Sequence, residues 1–195
     1  MPSTVPPPDS RRRDELLELA YRYVLDHGVA ELSLRPLAAA INSSPRVLLY
    51  LFGSKAGLVQ AVLARAREDE LNLLRRARDV GNVGGLCEVA AQLWSWLAAE
   101  EHRALLTLWF EGYARSLIDS DSPWTDFARR TVDDWLQVLA EAELPDAAPT
   151  PAAEAERTLV LAVLRGAMLD LLATGDITRT TNAVERQLSL LRHSR

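Results

Sequence analysis

The sequence predicts an all-α fold, and three observations indicate it. Leucine and alanine, which favour helices, supply 62 of the 195 residues, whereas isoleucine and valine together supply only 17. Apolar residues recur at helical spacing along most of the chain. No segment shows the alternation of apolar and polar residues that marks a half-buried strand.

Four helices are expected in the N-terminal part, because start and stop signals bracket them. Gly28 suits the end of the first helix, and Ser33, followed by Pro36, starts the second. Ser44 is a cap residue followed by proline at the first helical position, and Ser54 caps a long fourth helix. The expected ranges are 11–26, 33–41, 45–52 and 55–79.

Five further helices are expected after the segment Val80–Gly85, whose three glycines indicate a domain boundary. Their ranges are 86–100, 102–118, 123–143, 152–174 and 180–193. The predicted organisation is a disordered segment at 1–10, an N-terminal domain at 11–60 and a C-terminal helical domain at 61–195. Helix 55–79 links the two domains.

Composition excludes several classes of protein. A single cysteine, Cys87, cannot form an internal disulfide, and residues 1–10 lack the apolar core of a secretory signal. The longest apolar stretch, Thr158–Ala173, is interrupted by Arg165 and Asp170, so we expect no membrane span and a cytoplasmic protein.

Charge is unevenly distributed along the chain. The net charge is −5, which by itself disfavours a nucleic-acid partner, but residues 1–80 carry +2 and residues 81–195 carry −7. Residues 32–67 contain no carboxylate at all. The basic residues of this window are Arg35, Arg46, Lys55, Arg65 and Arg67. Salt screens distant charges, so this window predicts a local basic surface that attracts phosphate.

Two helices of about eight residues, joined by a short turn and flanked by longer helices, describe a helix-turn-helix. The segment Ser33–Lys55 reads SLRPLAAAINSSPRVLLYLFGSK. This segment resembles the N-terminal domain of the tetracycline-repressor (TetR) family of bacterial transcription regulators. The resemblance lies in the Leu37-Ala38 pair, in Leu48, Tyr50 and Phe52, and in the Gly53-Ser54-Lys55 triplet.

The resemblance implies a three-helix DNA-binding domain and a C-terminal domain for ligand binding and dimerisation. Leu37, Leu48 and Phe52 would pack the domain. Asn42 stands where the family usually has glycine, and asparagine also tolerates the left-handed conformation. The residues expected at DNA are Ser33, Arg35, Ser44, Pro45, Arg46, Val47, Leu49, Tyr50 and Lys55. Arg46 suits a guanine edge, Val47 and Leu49 suit thymine methyl groups, and Tyr50 and Lys55 suit phosphate.

Helix 152–174 is apolar almost all round, which indicates cover on two sides, by its own domain and by a second subunit. The last helix would complete a twofold four-helix contact, so we expect a homodimer on a palindromic operator. The expected interface residues are Leu159, Ala162, Val163, Gly166, Ala167, Asp170, Val184, Leu188 and Leu191. A buried helix in a monomer is the alternative.

All five tryptophans lie after residue 80. The resemblance implies a cavity for a small, largely apolar effector, and the candidates to line it are Trp94, Trp109, Phe110, Tyr113, Leu117, Trp135 and Met168. Glu111 or His102 would be a polar anchor. The alternative is that these aromatic residues form ordinary core. The sequence does not decide whether a ligand releases or promotes DNA binding, although a repressor is expected.

An enzyme is not expected. His27, His102 and His193 are scattered, and neither a glycine-rich phosphate loop nor the Glu-x-x-His pair of a di-iron bundle is present. No catalytic residue, metal ligand or cofactor is predicted. Two other functions remain open: a dimeric DNA-binding regulator controlled by a partner protein, and a helical interaction module that never touches DNA.

Overall fold

The described residues of a computed structural model (8–29, 32–80, 85–118, 124–141 and 150–193) form nine α-helices and one 3-10 turn, with no strand. The all-α prediction is confirmed. The helices are α1 Pro8–His27, α2 Leu34–Ala40, α3 Pro45–Phe52, α4 Lys55–Val80, α5 Leu86–Leu97, α6 Arg103–Ile118, α7 Phe127–Ala140, α8 Pro151–Thr174 and α9 Ile177–His193.

No single helix among the described residues is long and apolar enough to cross a membrane. One bent pair, α3 with residues 55–72 of α4, passes the same test of length and composition when taken together.

The two short helices α2 and α3 form the predicted helix-turn-helix, and their ends follow the predicted signals. Asn42 takes the left-handed backbone expected of the turn, with φ of 50°. The Ser44 hydroxyl accepts a hydrogen bond from the Val47 amide at 3.2 Å, so it caps α3. Ser33 stands at the start of α2, but its side chain makes no capping hydrogen bond.

Several helix boundaries differ from the predicted ones. α1 begins at Pro8, so 8–10 belong to a helix; the rest of the predicted disordered segment, and residues 81–84 of the predicted glycine boundary, lie outside the described residues. The expected helix 86–100 ends at Leu97 and is followed by a 3-10 turn. α7 is shorter than the predicted 123–143. α9 begins three residues earlier than predicted, because Asp176 Oδ1 accepts from the Arg179 amide at 3.0 Å.

The long helix α4 belongs to both halves of the molecule. It packs against α1 and α3 of the N-terminal half and against α5, α6 and α7 of the C-terminal half. Arg65 pairs with Glu18 of α1, and Arg67 pairs with Asp134 of α7, where the guanidinium Nη2 lies 2.7 Å from Oδ1. The buried apolar residues of both halves form one continuous cluster. Helix α4 therefore connects the helix-turn-helix to the C-terminal helices through direct packing.

Gly57 lies in the first turn of α4, where α4 passes close to the end of α3. From the sequence alone, Gly57 is either a pivot or a tolerated defect, and the defect is the favoured interpretation, since glycine weakens a helix by up to about 1 kcal/mol relative to alanine. That interpretation is wrong. A Cβ at position 57 would lie 2.2 Å from the Phe52 carbonyl oxygen, so the close approach of α3 requires glycine.

Replacing Gly57 with alanine is therefore expected to lower the free energy of unfolding by about 1–3 kcal/mol, since the backbone of Phe52 has to move. Helix propensity alone predicts a stabilisation of about 1 kcal/mol, so the sign of the change separates the two effects. Urea unfolding followed by circular dichroism measures it. A stabilised variant would show that α3 and α4 separate without cost.

Candidate nucleic-acid interface and ligand cavity

Helix α3 has one face packed into the domain and one face in solvent. Leu48 and Phe52, four residues apart, are buried against the rest of the domain, as predicted. Tyr50 is 74% exposed, and Val47 and Leu49 are also exposed. Three large apolar or aromatic side chains in contact with water on one eight-residue helix are unfavourable in free energy. Such an exposed patch indicates a surface that contacts a partner.

Three cations of the acid-free window surround this face, not five. Arg35, Arg46 and Lys55 are exposed and form no ion pair among the described residues. Arg65 and Arg67 are held in the ion pairs with α1 and α7, so they support the fold. The acid-free window as a whole therefore does not form the single basic surface that was predicted. The exposed basic residues of the window are Arg35, Arg46 and Lys55.

The nine residues predicted at DNA belong to the helix-turn-helix and to the start of α4. Seven of them are exposed: Ser33, Arg35, Arg46, Val47, Leu49, Tyr50 and Lys55. Ser44 and Pro45 are half-buried and lie at the start of α3, where Pro45 occupies the first helical position. The N-terminal end of a helix carries a partial positive charge, so the starts of α3 and α4 favour an anion.

A cavity of about 520 Å³ lies between α4, α6, α7 and α8. Six of the seven residues predicted to line a ligand site line it: Trp109, Phe110, Tyr113, Leu117, Trp135 and Met168. The remaining lining residues are Glu70, Ala114, Thr131, Arg165 and Leu169. Trp109 and Trp135 meet edge to face, with ring centroids 6.5 Å apart and an interplanar angle of 89°.

Trp94 is not part of this cavity, which corrects the prediction. It is buried between α5 and α9, where its indole Nε1 donates to Thr181 Oγ1 at 3.0 Å. The resemblance implied a place for Trp94 in the ligand cavity, but its side of α5 packs on α9.

Neither predicted anchor reaches the cavity. Glu111 accepts a hydrogen bond from the Val29 amide at 3.1 Å and so connects α6 to the end of α1. His102 stacks on Trp96 and bonds to its carbonyl oxygen at 2.8 Å. The polar groups of the cavity are instead the side chains of Glu70, Thr131 and Arg165 and the hydroxyl of Tyr113.

Two sequence signals point to these missed residues. Glu70 continues the buried stripe of α4 set by Leu63 and Ala66, at spacings of three and four residues. Arg165 is, with Asp170, one of two charged residues in the apolar stretch 158–173 of α8. Charged residues on the buried, apolar face of a helix seldom lack both a partner and a function.

Glu70 is fully buried, and its two carboxyl oxygens differ. Oε1 accepts a hydrogen bond from Trp135 Nε1, whereas Oε2 has no hydrogen-bond partner. Burial is the main cause that raises the pKa of Glu70 to about 8; the Asp134 carboxylate acts in the same direction, while the hydrogen bond from Trp135 and the charges of Arg165 and Arg67 act in the opposite direction. Glu70 is thus largely protonated at neutral pH.

Arg165 reaches the cavity from α8. Its Nη1 donates to Tyr113 Oη at 3.2 Å, and its guanidinium carbon lies 4.9 Å from the centroid of the Tyr113 ring. Its Nη2 is buried without a hydrogen-bond partner. Burial lowers the pKa of Arg165, but an arginine stays protonated at neutral pH.

The residues predicted at a dimer interface separate into two groups. Leu159, Ala162 and Gly166 are exposed on one side of α8, with Val163 and Ala167 half-buried beside them, and no atom lies within 4 Å of a Cβ built at Gly166. Asp170 is held by Arg179, with Nη1 and Oδ2 2.6 Å apart.

The predicted stripe on α9 is not available to a partner, which is a second correction. Val184 and Leu188 are buried in their own chain, where they pack toward α5, and Leu191 is half-buried. The exposed apolar residues of this helix are Ile177 and Leu190. A period of 3.6 identifies an apolar stripe, but α5 and not a second subunit covers it.

Comparison with known proteins found similarity at the level of structure. No family model matches the chain, and no curated protein matches it. A transcriptional regulator from Rhodococcus sp. Rha1 is 19% identical, with a TM-score of 0.71 over 93% of this chain and 96% of that one. A TetR transcription regulator from Haloarcula marismortui is 18% identical, with a TM-score of 0.66 over 91% and 94%.

A third solved structure is the multidrug binding protein EbrR complexed with proflavin. It is 23% identical, with a TM-score of 0.66 over 90% of this chain and 98% of that one. These matches span both halves of the molecule, the helix-turn-helix and the helices around the cavity. The chain therefore has the fold of the TetR-family transcriptional regulators.

Proposed function

We propose that this protein is a sequence-specific DNA-binding transcriptional regulator, in the role of a repressor, whose operator affinity responds to a small ligand. The outward face of α3 carries the proposal: a capped eight-residue helix that exposes Val47, Leu49 and Tyr50 while Leu48 and Phe52 hold it in place. A helix of this size enters the major groove, which is about 12 Å wide.

Each exposed residue of this face has a matching chemistry on DNA. Arg46, in the first turn of α3, suits the O6 and N7 acceptors of guanine. Val47 and Leu49 suit thymine methyl groups, and Tyr50 suits a phosphate. Arg35 and Lys55, at the starts of α2 and α4, add positive charge near helix N-terminal ends, which favour phosphate oxygens.

A homodimer fits the exposed side of α8. Leu159, Ala162 and Gly166 follow one another at spacings of three and four residues, and small side chains allow two helices to approach closely. A twofold contact through this side would present two α3 helices to the two half-sites of a palindrome.

A small-molecule effector is favoured over control by a partner protein because of the cavity. Its walls are apolar and aromatic with a few polar groups, which is typical of ligand sites. EbrR, which has the same fold, was solved with proflavin, a planar aromatic molecule. A ligand that binds one arrangement of the helices more tightly raises the population of that arrangement. The DNA affinity of the protein then shifts toward the affinity of that arrangement.

Helix α4 would carry this effect. Lys55 begins α4 beside α3, and Glu70 lies in the cavity wall fifteen residues later, about 22 Å along the same helix. The hydrogen bond from Val29 to Glu111 adds a second link, between α6 and the DNA-reading part. A ligand that moves α6 or α4 therefore acts on both ends at once.

The DNA contacts are tested on an operator selected from random duplex DNA. Lys55→Ala is expected to weaken binding to all sequences alike and to reduce the slope of log affinity against log salt by about 1. Arg46→Ala is expected instead to relax base preference at one position of each half-site, at a cost of about 1–3 kcal/mol for the preferred base.

Gel shifts at several salt concentrations measure both effects. Arg130→Ala, which removes an exposed cation from α7, is the matched control and should leave the affinity unchanged. Folded protein that retards no DNA at low salt would contradict the proposed function. If DNA binds but neither variant changes its affinity, the assignment of residues is wrong.

A further inference from the structure

Three residues that line the cavity each have a buried polar atom without a hydrogen bond. These atoms are Glu70 Oε2 on α4, Trp109 Nε1 on α6 and Arg165 Nη2 on α8. An unpartnered buried donor or acceptor costs about 1–3 kcal/mol, and more when the group is charged. Three such atoms around one cavity indicate that a ligand supplies the missing partners.

The charge of the cavity restricts that ligand. Arg165 forms no ion pair with any described carboxylate, and Glu70 is too far from it to form one. The other cation near Glu70, Arg67, is neutralised by Asp134. Tyr113, the titratable group facing Arg165 from α6, contributes a hydroxyl and a ring face. With Glu70 protonated, the cavity holds one uncompensated positive charge.

The walls restrict the shape of the ligand. Four aromatic residues line the space of about 520 Å³, which accommodates two or three fused rings: Trp109, Phe110, Tyr113 and Trp135. Leu117 and Leu169, which are 69% and 52% exposed, lie at its mouth, so the apolar end of a ligand meets apolar side chains there.

We propose that the cavity takes a planar aromatic carboxylate, whose carboxylate accepts hydrogen bonds from Arg165 Nη2 and from the protonated Oε2 of Glu70. This inference rests on the ligand-binding role assigned to the cavity above. A carboxylate has the lone pairs to accept from both donors, and it neutralises Arg165. A cationic ring system would leave Arg165 without a counter-ion and would meet it in a medium of low dielectric.

The assignment has a consequence for pH. The bound anion favours the protonated form of Glu70, so ionisation of Glu70 opposes binding. The affinity for the anion is full below pH 8 and falls as the pH rises through about 8, by up to about tenfold per pH unit. At pH 8, where the free carboxyl is about half ionised, binding takes up about half a proton per site.

The test uses three probes with one ring system: 2-naphthoate, the neutral 2-naphthamide and the cationic 2-naphthylmethylammonium. Calorimetric titration of the intact protein at pH 6.5, 8 and 9.5, in two buffers of different ionisation enthalpy, gives affinity and proton uptake together. We expect 2-naphthoate to bind tightest at pH 6.5, by about tenfold to a hundredfold over the amide. Its advantage should shrink at pH 9.5.

Two variants assign the effects to residues. Arg165→Met should remove the preference for 2-naphthoate over 2-naphthamide, and Glu70→Gln should abolish both the pH dependence and the proton uptake. Thermal melting checks that each variant is folded, and the pH profile of the unaltered protein tests the proposal without any variant.

Three results would overturn the proposal: tightest binding by the cation with affinity rising through pH 8, equal binding of all three probes, or binding of none at millimolar concentration. Gel shifts with the same probes keep the two proposals separate. A naphthoate that binds as expected but leaves DNA affinity unchanged contradicts the effector role alone. Loss of the anion preference in a protein that still binds its operator contradicts the ligand class alone.

Discussion

Replacing Glu70 with glutamine is expected to raise the free energy of unfolding by roughly 4 kcal/mol at pH 8 and by less than about 1 kcal/mol at pH 5. The pKa of Glu70 is about 8 in the folded protein, against an ordinary value near 4.5. Between these two values the unfolded chain releases the proton while the folded chain keeps it. The folded state therefore loses stability as the pH rises from about 4.5 through 8.

Glutamine removes this loss because it does not ionise. Its carbonyl oxygen accepts the Trp135 hydrogen bond as Glu70 Oε1 does, and its size matches that of the protonated carboxyl. Urea unfolding followed by tryptophan fluorescence at pH 5 and pH 8 measures the difference. Glu68→Gln, an exposed change two residues away on α4, should stay within about 0.5 kcal/mol of the original protein at both pH values.

A Glu70→Gln variant that is less stable than the original protein by the same amount at both pH values would contradict this account. It would show that the buried carboxyl is ionised and held by partners. The cavity would then carry a balanced pair of charges, and a neutral ligand would suit it better than an anion.

Replacing Ala162 with glutamate is expected to convert the proposed dimer into a monomer. Ala162 lies between Leu159 and Gly166, in the middle of the exposed residues of α8 that form the proposed contact. Two glutamates brought together there lose their hydration and repel each other, at a cost of about 3–5 kcal/mol. Operator binding should fall with the dimer, because one α3 helix reads only half of a palindrome.

Light scattering coupled to size-exclusion chromatography measures the mass at micromolar concentration, and gel shifts measure operator binding. Ala64→Glu places the same charge on the exposed side of α4 and should leave the mass and the binding unchanged. An original protein that is monomeric at this concentration, or an Ala162→Glu variant that stays dimeric, would show that α8 is not the interface.

The helix-turn-helix was predictable from the sequence almost residue by residue. Its signals are local: Ser44 and Pro45 start α3, Asn42 makes the turn, and the spacing of Leu48 and Phe52 defines the buried face. Capping and turn formation act between residues less than five positions apart, so they are read without knowing the rest of the fold.

The cavity was predictable only in part. The aromatic residues of α6 and α7 were identified as candidates, but Trp94 belongs to the contact of α5 with α9, and the polar groups Glu70 and Arg165 were missed. Glu70, Arg165 and Trp135 are separated by 30 to 95 positions along the chain. Their meeting depends on how four helices cross, which no local pattern specifies.

By itself, the sequence determined the all-α class, the course of the helices and which face of α3 is buried, because these depend on interactions within one or two helical turns. Only the tertiary structure decided that Gly57 is required by the Phe52 carbonyl, that Val184 and Leu188 are internal, and that a carboxyl and a guanidinium share one cavity. The spacing of apolar and charged residues along the chain is the same whichever surface they pack against in the folded protein. Its partner is selected by the packing of whole helices.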